Sequence, residues 1–162
     1  MPPSHRSRRV PWLHFPEGCS FFLLAASLLA FARGGHGLYS TMDDYIRFAQ
    51  MLLNGGELDG VRLLAPRTVE MMRTNYLSAE ALPTMRAGTG FGLDFAVVHD
   101  PAAAGEPYAT GSYFWGGAAG TWFWIDPVTD LTFVGMIQHP GGASVREVQG
   151  LSRNLVYQAV VE

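Results

Sequence analysis

Tyr113-Phe114-Trp115-Gly116-Gly117-Ala118-Ala119-Gly120-Thr121-Trp122-Phe123-Trp124-Ile125-Asp126-Pro127 is the stretch that decides how this chain is read. Small residues sit where backbone must come close to another group. An aromatic strand follows, then a turn in which Pro127 is well placed. Gly116, Gly117 and Gly120 let backbone N–H groups approach a ligand without a side chain in the way, as an oxyanion hole requires. On spacing alone, a glycine-rich turn beside core aromatics explains the same residues.

Working outward, the strand candidates lie on both sides of this stretch. Phe91, Leu93, Phe95 and Val97 alternate with Gly92, Asp94, Ala96 and Val98, which predicts a strand over 91–98. A second strand is expected at about 120–125 and a third at about 131–138, joined as a hairpin by Asp126 to Asp130. Pro101 to Gly111 reads as a loop.

Upstream, Met42, Tyr45, Ile46, Ala49, Leu52 and Leu53 recur at helical spacing, with Asp43, Arg47, Gln50 and Asn54 opposite. Ser40 or Thr41 can cap that helix, and Asn54-Gly55-Gly56 can end it. Asp59-Gly60 suits a two-residue turn, and Pro66 suits the first position of a short helix to Thr74. The last segment, 143–161, reads as a helix in which Val148, Leu151, Leu155 and Ala159 form a stripe and Gly150 is a weak point. Helices, strands, then a helix predict an α+β fold with an antiparallel sheet of about three strands and flanking helices.

The 162 residues suit one domain, and 48% apolar with 15% charged residues is globular composition. Net charge is −3, with eleven arginines and no lysine, which offers no broad basic surface for nucleic acid. Cys19 stands alone, and His5, His14, His36, His99 and His139 are scattered, so neither an internal disulfide nor a Cys/His metal site is expected. No cofactor is implied.

Residues 1–33 differ from the rest. Arg6, Arg8 and Arg9 precede an apolar run from Phe21 to Ala32 that is too short to span a bilayer. Ala30-Phe31-Ala32 resembles a signal-peptidase site, so the segment reads either as an export signal or as an irregular N-terminus. Localisation stays open between the cytoplasm and export.

Several motifs occur together in order. They are Gly35-x-Gly37-Leu38-x-Ser40-Thr41-x-x-Asp44-Tyr45-x-Arg47-Phe48, Leu52-Leu53-Asn54-Gly55-Gly56, Leu64-Ala65-Pro66-x-Thr68-Val69, Gly90-Phe91-Gly92-Leu93-x-Phe95, and Trp115 to Pro127. This set resembles the serine β-lactamase-related family, which includes class C β-lactamases, penicillin-binding carboxypeptidases and family VIII esterases. The resemblance runs from about Gly34 to the C-terminus and implies the C-terminal part of a β-lactamase/transpeptidase-like domain, 34–162.

The resemblance implies that Trp115-Gly116-Gly117 is the family's third active-site motif. Trp115, Gly116, Gly117 and Ala118 would then bind substrate, and the Ala118 N–H would donate to an oxyanion. Trp115 would stand where many relatives keep a cation, favouring esters over β-lactams that carry a carboxylate. The parent substrate would be a small ester, amide or β-lactam.

The family's nucleophile comes from Ser-x-x-Lys, and no lysine exists here. Tyr76-Leu77-Ser78 fits the second motif literally but follows the Pro66 helix, where the family keeps no catalytic tyrosine. The expectation is therefore a serine-hydrolase fragment with no complete catalytic set, inactive alone. The alternative is a non-catalytic ligand-binding pseudoenzyme module. The family's N-terminal strands would be missing, leaving a sheet edge open to aggregation or pairing. A triad of Ser112 or Ser144 with His139 and Asp126 can be drawn, but no G-x-S-x-G elbow accompanies it.

Overall fold

The structure, a computed structural model, describes residues 40–139 and 143–160. The expectations for residues 1–33 and for the Gly34–Gly37 lead-in lie outside the described residues.

Helix α1, Met42–Leu53, starts where a β-conformation Thr41 accepts the Asp44 N–H on its side chain at 3.2 Å. Of the two capping candidates, Thr41 takes the role, and Asp43 and Asp44 place negative charge in the first turn. Gly56, at φ +98°, finishes the helix exit, and a Cβ there would sit 2.2 Å from the Leu64 carbonyl oxygen. Strands β1, Glu57–Leu58, and β2, Val61–Arg62, form the expected short hairpin. Asp59 and Gly60 both have positive φ in its turn. Helix α2, Pro66–Met72, begins at Pro66.

The fold is α+β, and among the described residues its main sheet is wholly antiparallel, with five strands in the order β3-β4-β5-β6-β7. They are β3 Thr89–Phe91, β4 Ala96–Val98, β5 Tyr113–Gly116, β6 Trp122–Asp126 and β7 Leu131–Gly135. The sheet thus has more strands than the three the sequence suggested, for two physical reasons. The segment 91–98 is a hairpin and not one strand: Phe91 pairs with Ala96, and Asp94 turns the chain at φ 72°. Gly92 makes that turn possible, because a Cβ there would lie 2.0 Å from the Met72 carbonyl oxygen. The second reason is that Tyr113–Gly116 is itself a strand, pairing with β4 on one side and β6 on the other. A short helix α3, Pro101–Ala104, interrupts the expected loop, capped by the Asp100 carboxylate on the Ala103 N–H.

Strand alternation sends side chains to two faces. On one face, Tyr113, Phe123 and Ile125 pack with Phe95 and Val97 against Ala49 and Leu52 of α1 and Val69 of α2. On the other, Trp122 and Trp124 pack with Val98 and Tyr108, joined by Val156 and Tyr157 of helix α4, Ala143–Ala159.

Helix α4 does not bury the stripe that its sequence advertises. Val145 and Arg153 are buried on the sheet side, whereas Val148, Leu151 and Leu155 are exposed at 42%, 55% and 65%. The sheet face beneath α4 offers polar partners, and Arg153 and Tyr157 turn inward to meet them. The apolar stripe is left on the opposite flank.

Candidate functional site

Strand β5 carries the Trp-Gly-Gly sequence to its end. The register Trp115↔Phe123 and Gly116↔Trp122 fixes where the backbone leaves the sheet. The turn that follows is closed by Gly117 N–H donating to the Thr121 carbonyl at 2.7 Å and Gly120 N–H donating to the Gly117 carbonyl at 3.1 Å. Gly120 is a steric necessity there, with φ +96° and the His139 carbonyl oxygen 2.6 Å from its would-be Cβ, whereas a Cβ on Gly117 would require the Thr121 hydroxyl, 2.5 Å away, to turn aside.

Gly116 is different. Its nearest would-be neighbour, Gln149 Nε2, lies 3.6 Å away, so packing does not demand glycine there. Its missing side chain keeps space open at the surface.

The four residues implied as substrate-binding are together and accessible. Trp115 is 47% exposed, and Gly116, Gly117 and Ala118 are also exposed. The Trp115 ring stands edge-on to Phe91 with centroids 5.1 Å apart, which holds it beside the end of the strand. Gly117 uses its N–H within the turn, whereas the Ala118 N–H donates to no protein group among the described residues.

A cleft of about 240 Å³ opens beside this turn. Trp115, Gly116 and Trp122 form one wall, and Arg146, Gln149 and Arg153 of α4 form the other. Arg86, Tyr108 and Phe114 close its far end. A larger hollow near the Asp59-Gly60 turn, about 340 Å³, is an open depression whose two carboxylates, Glu57 and Asp59, are ion-paired to Arg62 and Arg47.

The charge in the cleft is organised by Glu106, whose side chain is only 9% exposed. One of its carboxylate oxygens meets Arg86 and the other meets Arg153 Nη2 at 2.6 Å. Arg153 also donates to the Tyr108 hydroxyl at 2.9 Å and lies over the Tyr108 ring at 4.8 Å. Burial pushes the Tyr108 hydroxyl pKa up to about 12, despite the opposing pull of Arg153.

Asp126, fully buried, is occupied with structure. It accepts the Tyr157 hydroxyl at 2.5 Å and the backbone N–H groups of Ala109, Val128 and Thr129. Burial alone would raise its pKa, but the Tyr157 hydroxyl and the three N–H groups outweigh that and hold it below the ordinary carboxylate value. Burial, together with the same contact, pushes the Tyr157 hydroxyl upward.

Among the described residues no Ser-His-Asp relay forms: the four groups that donate to Asp126 include no histidine, Ser112 is fully buried, and His139 is exposed beyond β7. Among the described residues, no group of three His, Cys, Asp or Glu side chains could hold a metal ion. No helix among them is long and apolar enough to cross a membrane.

Sequence reasoning did not anticipate the arginine side of this cleft. Arg86 is far from the other two in the chain and no local pattern joins it to them, whereas Arg146 and Arg153 stand about two helical turns apart on α4. The one available signal was the inward spacing of Val145, Gln149, Arg153 and Val156, partly masked by the stronger apolar stripe beside it.

Comparison with known proteins now bears on this geometry. Protein Rv1367c of Mycobacterium tuberculosis is 41% identical over 134 residues, covering 77% of this chain and 33% of that protein. Esterase EstB of Burkholderia gladioli is 33% identical over 104 residues, covering 64% of this chain and 25% of the esterase. The solved structure of EstCE1, a hydrolase with promiscuous acyltransferase activity, superposes with a TM-score of 0.68 at 29% identity, over 79% of this chain and 32% of that one. The chain thus spans about a third or less of the length of these relatives. Residues 2–158 match the model of the Beta-lactamase family, and the chain belongs to that family.

Proposed function

We propose that this chain forms the oxyanion-side wall of an acyl-transfer site in a beta-lactamase-family serine hydrolase. The observation that carries the reading is the exposed Trp115-Gly116-Gly117-Ala118 turn at the end of β5, with the Ala118 N–H left for an incoming acceptor. In the parent reaction a serine attacks the carbonyl of an ester, amide or β-lactam, and the developing oxyanion takes backbone N–H donors. A hydrolytic water then releases the acyl group. Trp115, held edge-on by Phe91, would flank the acyl or leaving group as an apolar wall.

On this reading the chain alone does not turn over. Activation of the serine in this family uses a lysine three positions on, and the sequence has none. The similarity to an esterase and to a hydrolase with acyltransferase activity supports ester chemistry for the parent protein.

The test is incubation of the chain with a fluorophosphonate probe and a chromogenic ester. The expected result is neither serine labelling nor turnover above the uncatalysed rate. Labelling of one serine that tracks ester turnover would overturn the inactive reading.

A further inference from the structure

We infer that the cleft between the end of β5 and helix α4 binds an organic anion, a carboxylate carried on an aromatic or apolar body. Binding of this kind needs no nucleophile, so the inference stands apart from the hydrolase reading.

The first reason is charge. Arg86, Arg146 and Arg153 bring three guanidinium groups to one cleft of about 240 Å³. Glu106 is the carboxylate that pairs there, and it engages Arg86 and Arg153 with one oxygen each. Arg146 is exposed and forms no ion pair among the described residues. Three positive charges against one negative leave an excess of two in a partly desolvated space. Guanidinium groups are the side chains best shaped for a carboxylate.

The second reason is the lining. Phe114, Tyr108 and Trp122 give the cleft aromatic walls on the α4 face of the sheet. Such walls take an apolar body, while the few polar groups orient its charged head. Gln149 adds a neutral donor beside Gly116, where the absent side chain leaves room.

The experiment is calorimetric titration of the full chain with 4-phenylbutyrate and, separately, with its neutral amide. The acid should bind about tenfold more tightly than the amide, and that preference should shrink as salt is raised. Arg146→Gln should remove most of the preference with the melting temperature unchanged, because that side chain is exposed and unpaired in ion pairs. Equal binding of acid and amide would overturn the inference. So would an Arg146→Gln protein that keeps the full preference, or a folded chain that binds neither compound. Ester turnover is not read, so failure here leaves the hydrolase reading standing, and the converse holds too.

Discussion

Beneath α1 the sheet is packed almost entirely by hydrocarbon and rings. Ala49, Leu52, Val69, Phe95, Val97, Phe123 and Ile125 meet there with no ionised group among them. Beneath α4, by contrast, Trp122 and Trp124 share the interior with Asp126, Glu106 and Arg153. The first face is held by apolar burial, which is tolerant of direction and scales with area. The second is held by directional pairs, each of which has to be satisfied or it becomes a cost. The difference teaches where this chain can carry a binding site. A cleft able to accept an anion opens on the face already built from charged groups, not on the hydrocarbon face.

The largest effect is expected on the hydrocarbon face. Leu52 is 1% exposed at the centre of the α1 packing, and Leu52→Ala removes its contacts and leaves a cavity. A loss of about 2–5 kcal/mol is expected, read by urea unfolding. A loss no larger than that of an exposed leucine would mean that α1 does not close this core.

The polar face is tested by Asp126→Asn. Both carboxylate oxygens accept hydrogen bonds, Oδ1 from Val128 and Thr129 and Oδ2 from Ala109 and Tyr157. An amide must turn its NH₂ toward one of these sets of donors. At pH 7 the cost is expected to be about 1–3 kcal/mol. The pH dependence has a definite sign. Because the folded pKa is depressed, ionised Asp126 contributes its full stability above the unfolded carboxylate value of about 4. That contribution is lost as pH falls through the folded value, so unfolding curves of the two proteins should converge in acid. A gap that persists unchanged at low pH would show that charge is not what Asp126 supplies.

Much of this contrast was legible in the sequence. The helical spacing of α1, the Asp59-Gly60 hairpin, Pro66 opening α2 and the Asp126 to Asp130 turn all follow local rules, and the structure keeps them. The glycine-rich end of β5 was legible as a tight turn because close backbone approach there demands small residues. What local rules could not supply was pairing at a distance. Gly92 and Asp94 looked like positions in an alternating strand, because nothing nearby reveals the Met72 carbonyl that Gly92 must pass. The inward turn of Arg153 depends on Glu106, which lies 47 positions earlier in the chain (153 − 106). The apolar stripe of α4 pointed to the wrong flank for the same reason.

Helix α4 offers a smaller test of the same contrast. Gly150 sits inside the helix, and a Cβ there would come no closer than 3.9 Å to its nearest neighbour, Arg153 Nη2. Since packing does not require glycine, Gly150→Ala should stabilise the chain by about 1 kcal/mol through helix propensity and a more restricted unfolded state. A loss of stability would mean that the Arg153 guanidinium needs the space a methyl group takes, and the polar face would then be tighter than its contacts suggest.

The smallest effect on stability is expected from the exposed stripe. Leu155→Glu alters a side chain that is 65% exposed, so unfolding should change by no more than about 0.5 kcal/mol. Association should change more. Val148, Leu151 and Leu155 form an uncharged apolar flank, and among the described residues β7 pairs only with β6. Both features favour chain–chain contact through apolar burial or strand pairing. Sedimentation of the Leu155→Glu protein should therefore show less self-association than the parent at equal concentration. If unfolding shifts by several kcal/mol instead, Leu155 is covered in solution, and the α4 flank belongs to the interior of the folded chain rather than to its surface.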